Sequence, residues 1–190
     1  MAGRPGRRQR QTYAERLERR ASIDDPEIVL NVAARFLEAR SRSVAEVRRQ
    51  LKGYRADLVE AAIERLTALG MLDDAAFARA WIESRDRARP RGEQALRREL
   101  AGKGLERGIV DQILGERAAD GGSAPDVEAA ERLLARRGAA LARLADPRQR
   151  RQRAYALLAR NGFDPDVCRD AIARFEAGLG NADEERGEGE

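Results

Sequence analysis

The chain has 190 residues, 42% hydrophobic, 37% charged and only 4% aromatic, with a formal net charge of +4, one cysteine and no histidine. This is a helix-leaning composition with a modest core. It excludes an intramolecular disulfide, a thiolate zinc cluster and every histidine-dependent triad or zinc site. No apolar run approaches a membrane span and the start MAGRPGRRQRQ lacks an apolar signal core, so a cytoplasmic location with no membrane partner is expected.

In chain order, residues 1–25 read as a basic flexible tail, with seven arginines in the first twenty positions against Glu15 and Glu18. The first repeat, residues 26–70, opens with PEIVLNVAARFLEAR, which places Leu30, Ala33, Ala34 and Leu37 on one helical stripe. SVAEVRRQLK follows with Ser43 as its N-cap, and then GYRADLVEAAI. The second repeat, 71–119, comprises DDAAFARAWIESRDR with Phe77, Ala80 and Trp81 on its stripe, then RGEQALRREL and GLERGIVDQIL. ADGGSAP supplies a Gly/Pro-rich linker over 120–125. The third repeat, 126–177, holds DVEAAERLLARRGAALARL with Val127, Ala130, Leu134 and Leu141 inward. DPRQRRQRAYALLARN follows, capped by Asp146 with Pro147 first, and then GFDPDVCRDAI. Residues 178–190 carry five acids in NADEERGEGE and read as an acidic flexible tail.

The repeat rests on Gly53, Gly104 and Gly162. After each comes Tyr54, Leu105 or Phe163, then the pair Leu58–Val59, Ile109–Val110 or Val167–Cys168, then Ala62–Ile63, Ile113–Leu114 or Ala171–Ile172. Glycine ends one helix in the left-handed region, and the pairs four apart form the buried stripe of the next. No stretch alternates like a strand. The expected fold is all-α, three tandem three-helix repeats stacked into an elongated, curved array. The interval from Leu51 to Gly53 is two residues shorter than those from Leu100 to Gly104 and Leu158 to Gly162, which predicts a tighter turn and a shortened helix there.

Asp73 and Asp74 are the obvious carboxylates to test as a catalytic or metal pair. Asp73 instead fits an N-cap, with Leu72 and Phe77 at hydrophobic-staple spacing, and Asp74 fits the first turn. Cys168 takes the slot of Val59 and Val110, a small core residue; Trp81 shares its stripe with Phe77, which favours packing over base stacking. No catalytic residue, metal site or cofactor is expected.

The arginines remain. Arg85, Arg87, Arg89 and Arg91 alternate through RDRARPR, followed by Arg97, Arg98 and Lys103; Arg148, Arg150, Arg151 and Arg153 recur in the third repeat, and Arg48 and Arg49 in the first. A planar guanidinium fork suits carboxylate or phosphate, so these are candidate contacts with an acidic partner or nucleic acid.

LDDAAFARAWIESR followed by RPRGEQALRRELAGKGL resembles the signature region of the RecX family of regulatory proteins, and the repeat pattern extends that resemblance over residues 28–176. The resemblance implies a nonenzymatic modulator, monomeric when free. It would bind the RecA protein and its nucleoprotein filament, restrain recombinase, ATPase and coprotease activity, and so limit recombination and the SOS response. Binding of single- or double-stranded DNA is also implied. Two other readings stay open at this point: a sequence-nonspecific DNA-binding helical-repeat protein without a RecA partner, and a metal-dependent nuclease using Asp73 and Asp74.

Overall fold

The computed structural model describes residues 12–120 and 125–187, with side chains described over 12–119 and 125–179. Among these residues the regular structure is helical throughout, as the periodicity predicts, apart from one isolated bridge between Lys52 and Tyr54. The helices are α1 (Tyr13–Ala21), α2 (Pro26–Glu38), α3 (Val44–Gln50), α4 (Ala56–Ala68), α5 (Asp74–Ala88), α6 (Glu93–Gly102), α7 (Arg107–Asp120), α8 (Pro125–Ala135), α9 (Gly138–Ala142), α10 (Pro147–Arg160) and α11 (Pro165–Gly187). Three-helix repeats are formed by α2–α4, by α5–α7, and by α8, α10 and α11, the last with the short α9 interposed.

The chain divides into two compact units at Asp74 and Ala75. In the first, α2 packs on α4 around Val29, Ala33, Val47, Leu51, Ile63 and Leu66. The second holds two cores, one around Phe77, Ile82, Leu96, Leu100 and Ile113, the other around Leu134, Leu158, Phe163, Cys168 and Ala171. The repeating pairs account for these cores: Val59, Val110 and Cys168 are buried at equivalent places, as are Ile63, Leu114 and Ile172. Each such aliphatic side chain contributes about 1.5–3 kcal/mol when fully buried.

The corner glycines adopt positive φ, +100° at Gly53, +84° at Gly104 and +83° at Gly162. At the last two, the chain wraps back so that Leu105 N–H donates to Leu100 O and Phe163 N–H to Leu158 O, at 3.2 and 3.3 Å. The first repeat closes sooner. Tyr54 N–H donates to Leu51 O at 3.1 Å and α3 is only seven residues long, as the shortened interval predicts.

Three stretches differ from expectation. Residues 12–25 are not an unstructured part of the tail. Thr12 and Glu15 form a capping box that starts α1, and Arg20 donates to Gln50 O and Lys52 O at 3.1 and 2.7 Å. Residues 1–11 lie outside the described residues, as do 121–124 of the expected linker and 188–190 of the acidic end. Across 178–187 the backbone continues as helix α11 where a flexible tail is expected. The long first helix of the third repeat is broken between Ala135 and Gly138, where Arg137 leaves helical geometry with φ −110° and ψ 1°. Leu141 still reaches the core.

Candidate functional site

The window Leu72–Gly92 is built from capped helix ends and a close backbone joint. Asp73 precedes the first residue of α5, in the N-cap place. Asp74 Oδ1 accepts from Val44 N–H at 2.9 Å, so its carboxylate serves the first residue of α3. Asp126 does the same job one repeat later, accepting from Glu93 N–H at 2.8 Å at the start of α6. A helix start leaves backbone donors unpaired, and a carboxylate there also meets the positive end of the dipole. Asp74 is thus a structural cap, and Asp126 repeats its role in the next repeat. Among the described residues no group of three His, Cys, Asp or Glu side chains is placed to hold a metal ion.

Trp81 packs. Its ring stacks on Phe77 with centroids 6.0 Å apart, and its indole N–H donates to Glu99 Oε2 at 2.9 Å. The Arg85 guanidinium lies 4.3 Å from the ring centroid and the Lys103 ammonium 4.7 Å from it. Cations on an aromatic face gain from the ring quadrupole. Cys168 is fully buried, its thiol pushed up by desolvation and secondarily by Asp164, the opposite of an activated thiolate.

The candidate cations separate into two groups. Arg85 donates to Glu99 at 2.6 Å, and Arg91 lies 3.4 Å from the same carboxylate while donating to the Asn161 side-chain oxygen. Arg97 bridges Glu93 and Asp111, and its hydrogen bond holds the Asp111 carboxyl below its ordinary range. Arg150 forms a two-pronged pair with Glu176 at 2.7 and 3.0 Å and also donates to Leu144 O. These four are committed to the fold. Arg87, Arg89, Arg98, Arg148, Arg151 and Arg153 face solvent. The contact of Arg87 is Glu83 on its own helix at 3.6 Å, and that of Arg151 is Glu176 at 3.7 Å.

The arginine-rich RPRG turn is a joint between the second and third repeats. Pro90 is fully buried, and Gly92 N–H donates to Asn161 O at 3.1 Å. A Cβ on Gly92 would lie 2.3 Å from Gly162 O. Arg136 caps the end of α5 by donating to Ala88 O and Arg87 O at 2.5 and 2.8 Å. Behind the joint, Arg117 binds Asp86 twice at 3.1 Å and Asp126 at 2.6 Å, with only 12% of its side chain exposed. Sequence reasoning does not single out Arg117. It stands alone in GERAAD, and neither partner is near it in helical spacing.

Two family models match this chain. One, described as RecX, second three-helix domain, covers residues 73–114, and the other, RecX, third three-helix domain, covers 125–172. The regulatory protein RecX of Prosthecochloris aestuarii is 33% identical over 157 residues, spanning 80% of this chain and 95% of that protein. That of Mycobacterium tuberculosis is 34% identical over 148 residues, spanning 75% and 83%. A crystal structure of RecX from Lactobacillus salivarius has the same fold, with TM-score 0.67 and 21% identity over 81% of this chain and 98% of that one.

Proposed function

The chain belongs to the RecX family of regulatory proteins, and on that premise we propose that it binds RecA and RecA–DNA filaments and restrains their recombinase, ATPase and coprotease activities in the cytoplasm. The observation that carries this reading is the outward set of arginines in the second unit, Arg87 and Arg89 at the end of α5 and Arg148, Arg151 and Arg153 on α10. Their roles are charge-assisted contacts with acidic RecA surface or DNA phosphate. Binding one filament state more tightly than another shifts the population toward that state, and no bond-making step by this chain is needed. The relatives are named regulatory proteins, and the one thiol is buried. Among the described residues no helix is long and apolar enough to cross a membrane.

The test is co-sedimentation with preformed RecA–ssDNA filaments against naked ssDNA, using wild type and the Arg148→Ala/Arg151→Ala/Arg153→Ala variant. The wild type should sediment with filaments and lower RecA ATPase and strand exchange at substoichiometric amounts, and the variant should do so less. Unchanged ATPase and strand exchange with wild type sinks the reading. Salt-sensitive binding to naked DNA with no added affinity for filaments would instead establish the DNA-binding alternative.

A further inference from the structure

The first two repeats place one cross-helix pair at the same position. Arg48 follows buried Val47 on α3 and grips Glu60, which follows buried Val59 on α4, through two bonds of 2.8 Å. Arg97 follows buried Leu96 on α6 and binds Asp111, which follows buried Val110 on α7. In the third repeat the corresponding residues follow buried Ala154 and Cys168, and they are Tyr155 and Arg169. The arginine has become an aromatic, and the acid has become a cation.

Tyr155 and Arg169 both line an open groove of about 550 Å³ between α10 and α11. The Tyr155 ring, Ile172 and Ala173 supply its apolar surface, with Arg151 on one wall and Arg169 on the other. Tyr155 is 40% exposed. Arg169 is 68% exposed and pairs with Asp166, one turn back on its own helix and itself 84% exposed, a pair of little energetic weight. Glu176, also in the lining, is held tightly by Arg150 and lies 3.7 Å from Arg151, a looser contact. Where the other repeats place Glu60 and Asp111 this one places Arg169, and Arg151 and Arg169 both line the groove.

We propose that this groove docks an acidic protein segment, whose carboxylates bind Arg151 and Arg169 and whose apolar side chain rests on Tyr155 and Ile172. The partner thereby supplies the acid that Glu60 and Asp111 supply internally. A nucleic-acid strand fits less well. Phosphates need a row of cations along a track, whereas here two cations bracket an apolar floor, the arrangement that receives an amphipathic segment. The proposal deepens the functional reading above, since it rests on a protein partner and names the chemistry of the contact.

The test is fluorescence anisotropy of the full chain with three labelled probes. They are a short peptide of glutamates interspersed with leucine and phenylalanine at helical spacing, the same peptide with serine replacing the apolar residues, and an oligothymidylate of equal net charge. The first should bind at least about tenfold more tightly than either of the others. Tyr155→Arg combined with Arg169→Asp installs the cross-helix pair of the second repeat, and should reduce binding of the first probe by about tenfold while the melting temperature holds. Equal affinity for the serine peptide or the oligothymidylate, or unchanged affinity in the double variant, overturns the proposal. Wild type that binds the first peptide but not RecA filaments sinks the functional reading and leaves the groove standing. Filament binding with undiminished peptide affinity in the double variant overturns the groove alone.

Discussion

Two arginine-rich regions of the second unit put the same side chain to opposite uses. Around Pro90, Arg85 and Arg91 turn inward onto Glu99 and Asn161, and Arg136 reaches in to cap α5. On α10, Arg148, Arg151 and Arg153 face solvent, and only Arg150 is drawn into a tight pair. The density of basic charge is similar in both places. What differs is the presence of a carboxylate or a bare carbonyl across the interhelical space, so local arginine content does not by itself mark a binding surface.

Inward use of an arginine reaches its extreme at Arg117, with 12% of its side chain exposed. Arg117→Ala removes the cation that Asp86 and Asp126 share, leaving Asp86 only the looser Arg132 contact at 3.9 Å, and should cost about 3 kcal/mol or more, measured by urea unfolding. A loss below about 1 kcal/mol would place this arginine with the outward set. Next, Gly92→Ala forces a methyl into Gly162 O and should cost about 2–3 kcal/mol. Gly102→Ala is its control, with no atom within 4 Å of the added methyl, and should be neutral or mildly stabilising.

Asp74→Ala removes the acceptor for Val44 N–H and should cost about 1 kcal/mol. Glu176→Gln tests the inward role of Arg150 through pH. The hydrogen bond from Arg150 depresses the Glu176 carboxyl below its ordinary value of 4.5, so the pair stabilises the fold above that pH. Its contribution disappears as pH falls through the depressed value. The stability gap between wild type and variant should therefore be widest near neutrality and close in acid. The smallest change in stability is expected for Arg148→Ala/Arg151→Ala/Arg153→Ala, within about 0.5 kcal/mol. If that triple variant unfolds easily, the outward assignment fails.

Much of the fold was legible because its signals are local. A glycine alone accepts positive φ cheaply, so Gly53, Gly104 and Gly162 mark the corners, and the apolar pairs after them mark the buried faces. The short interval before Gly53 likewise foretells the short α3. The capping box that starts α1 was also present, as Thr12 and Glu15 three residues apart, but the surrounding arginines make that stretch read as a solvated tail.

The site was less legible. Listing basic residues found Arg148, Arg151 and Arg153, which face out, together with Arg85, Arg91, Arg97 and Arg150, which do not. It passed over Tyr155 and Arg169, whose meaning emerges only when they are set against Arg48–Glu60 and Arg97–Asp111.

By itself, then, the sequence determined that the chain is helical, where it turns and which faces are buried, because periodicity and glycine's conformational freedom act over a few residues. Only the tertiary structure decided which cations remain for a partner. An arginine is satisfied or left outward according to what a distant helix presents to it, as with Arg91 and Asn161, 70 residues apart, or Arg117 and Asp86, 31 apart.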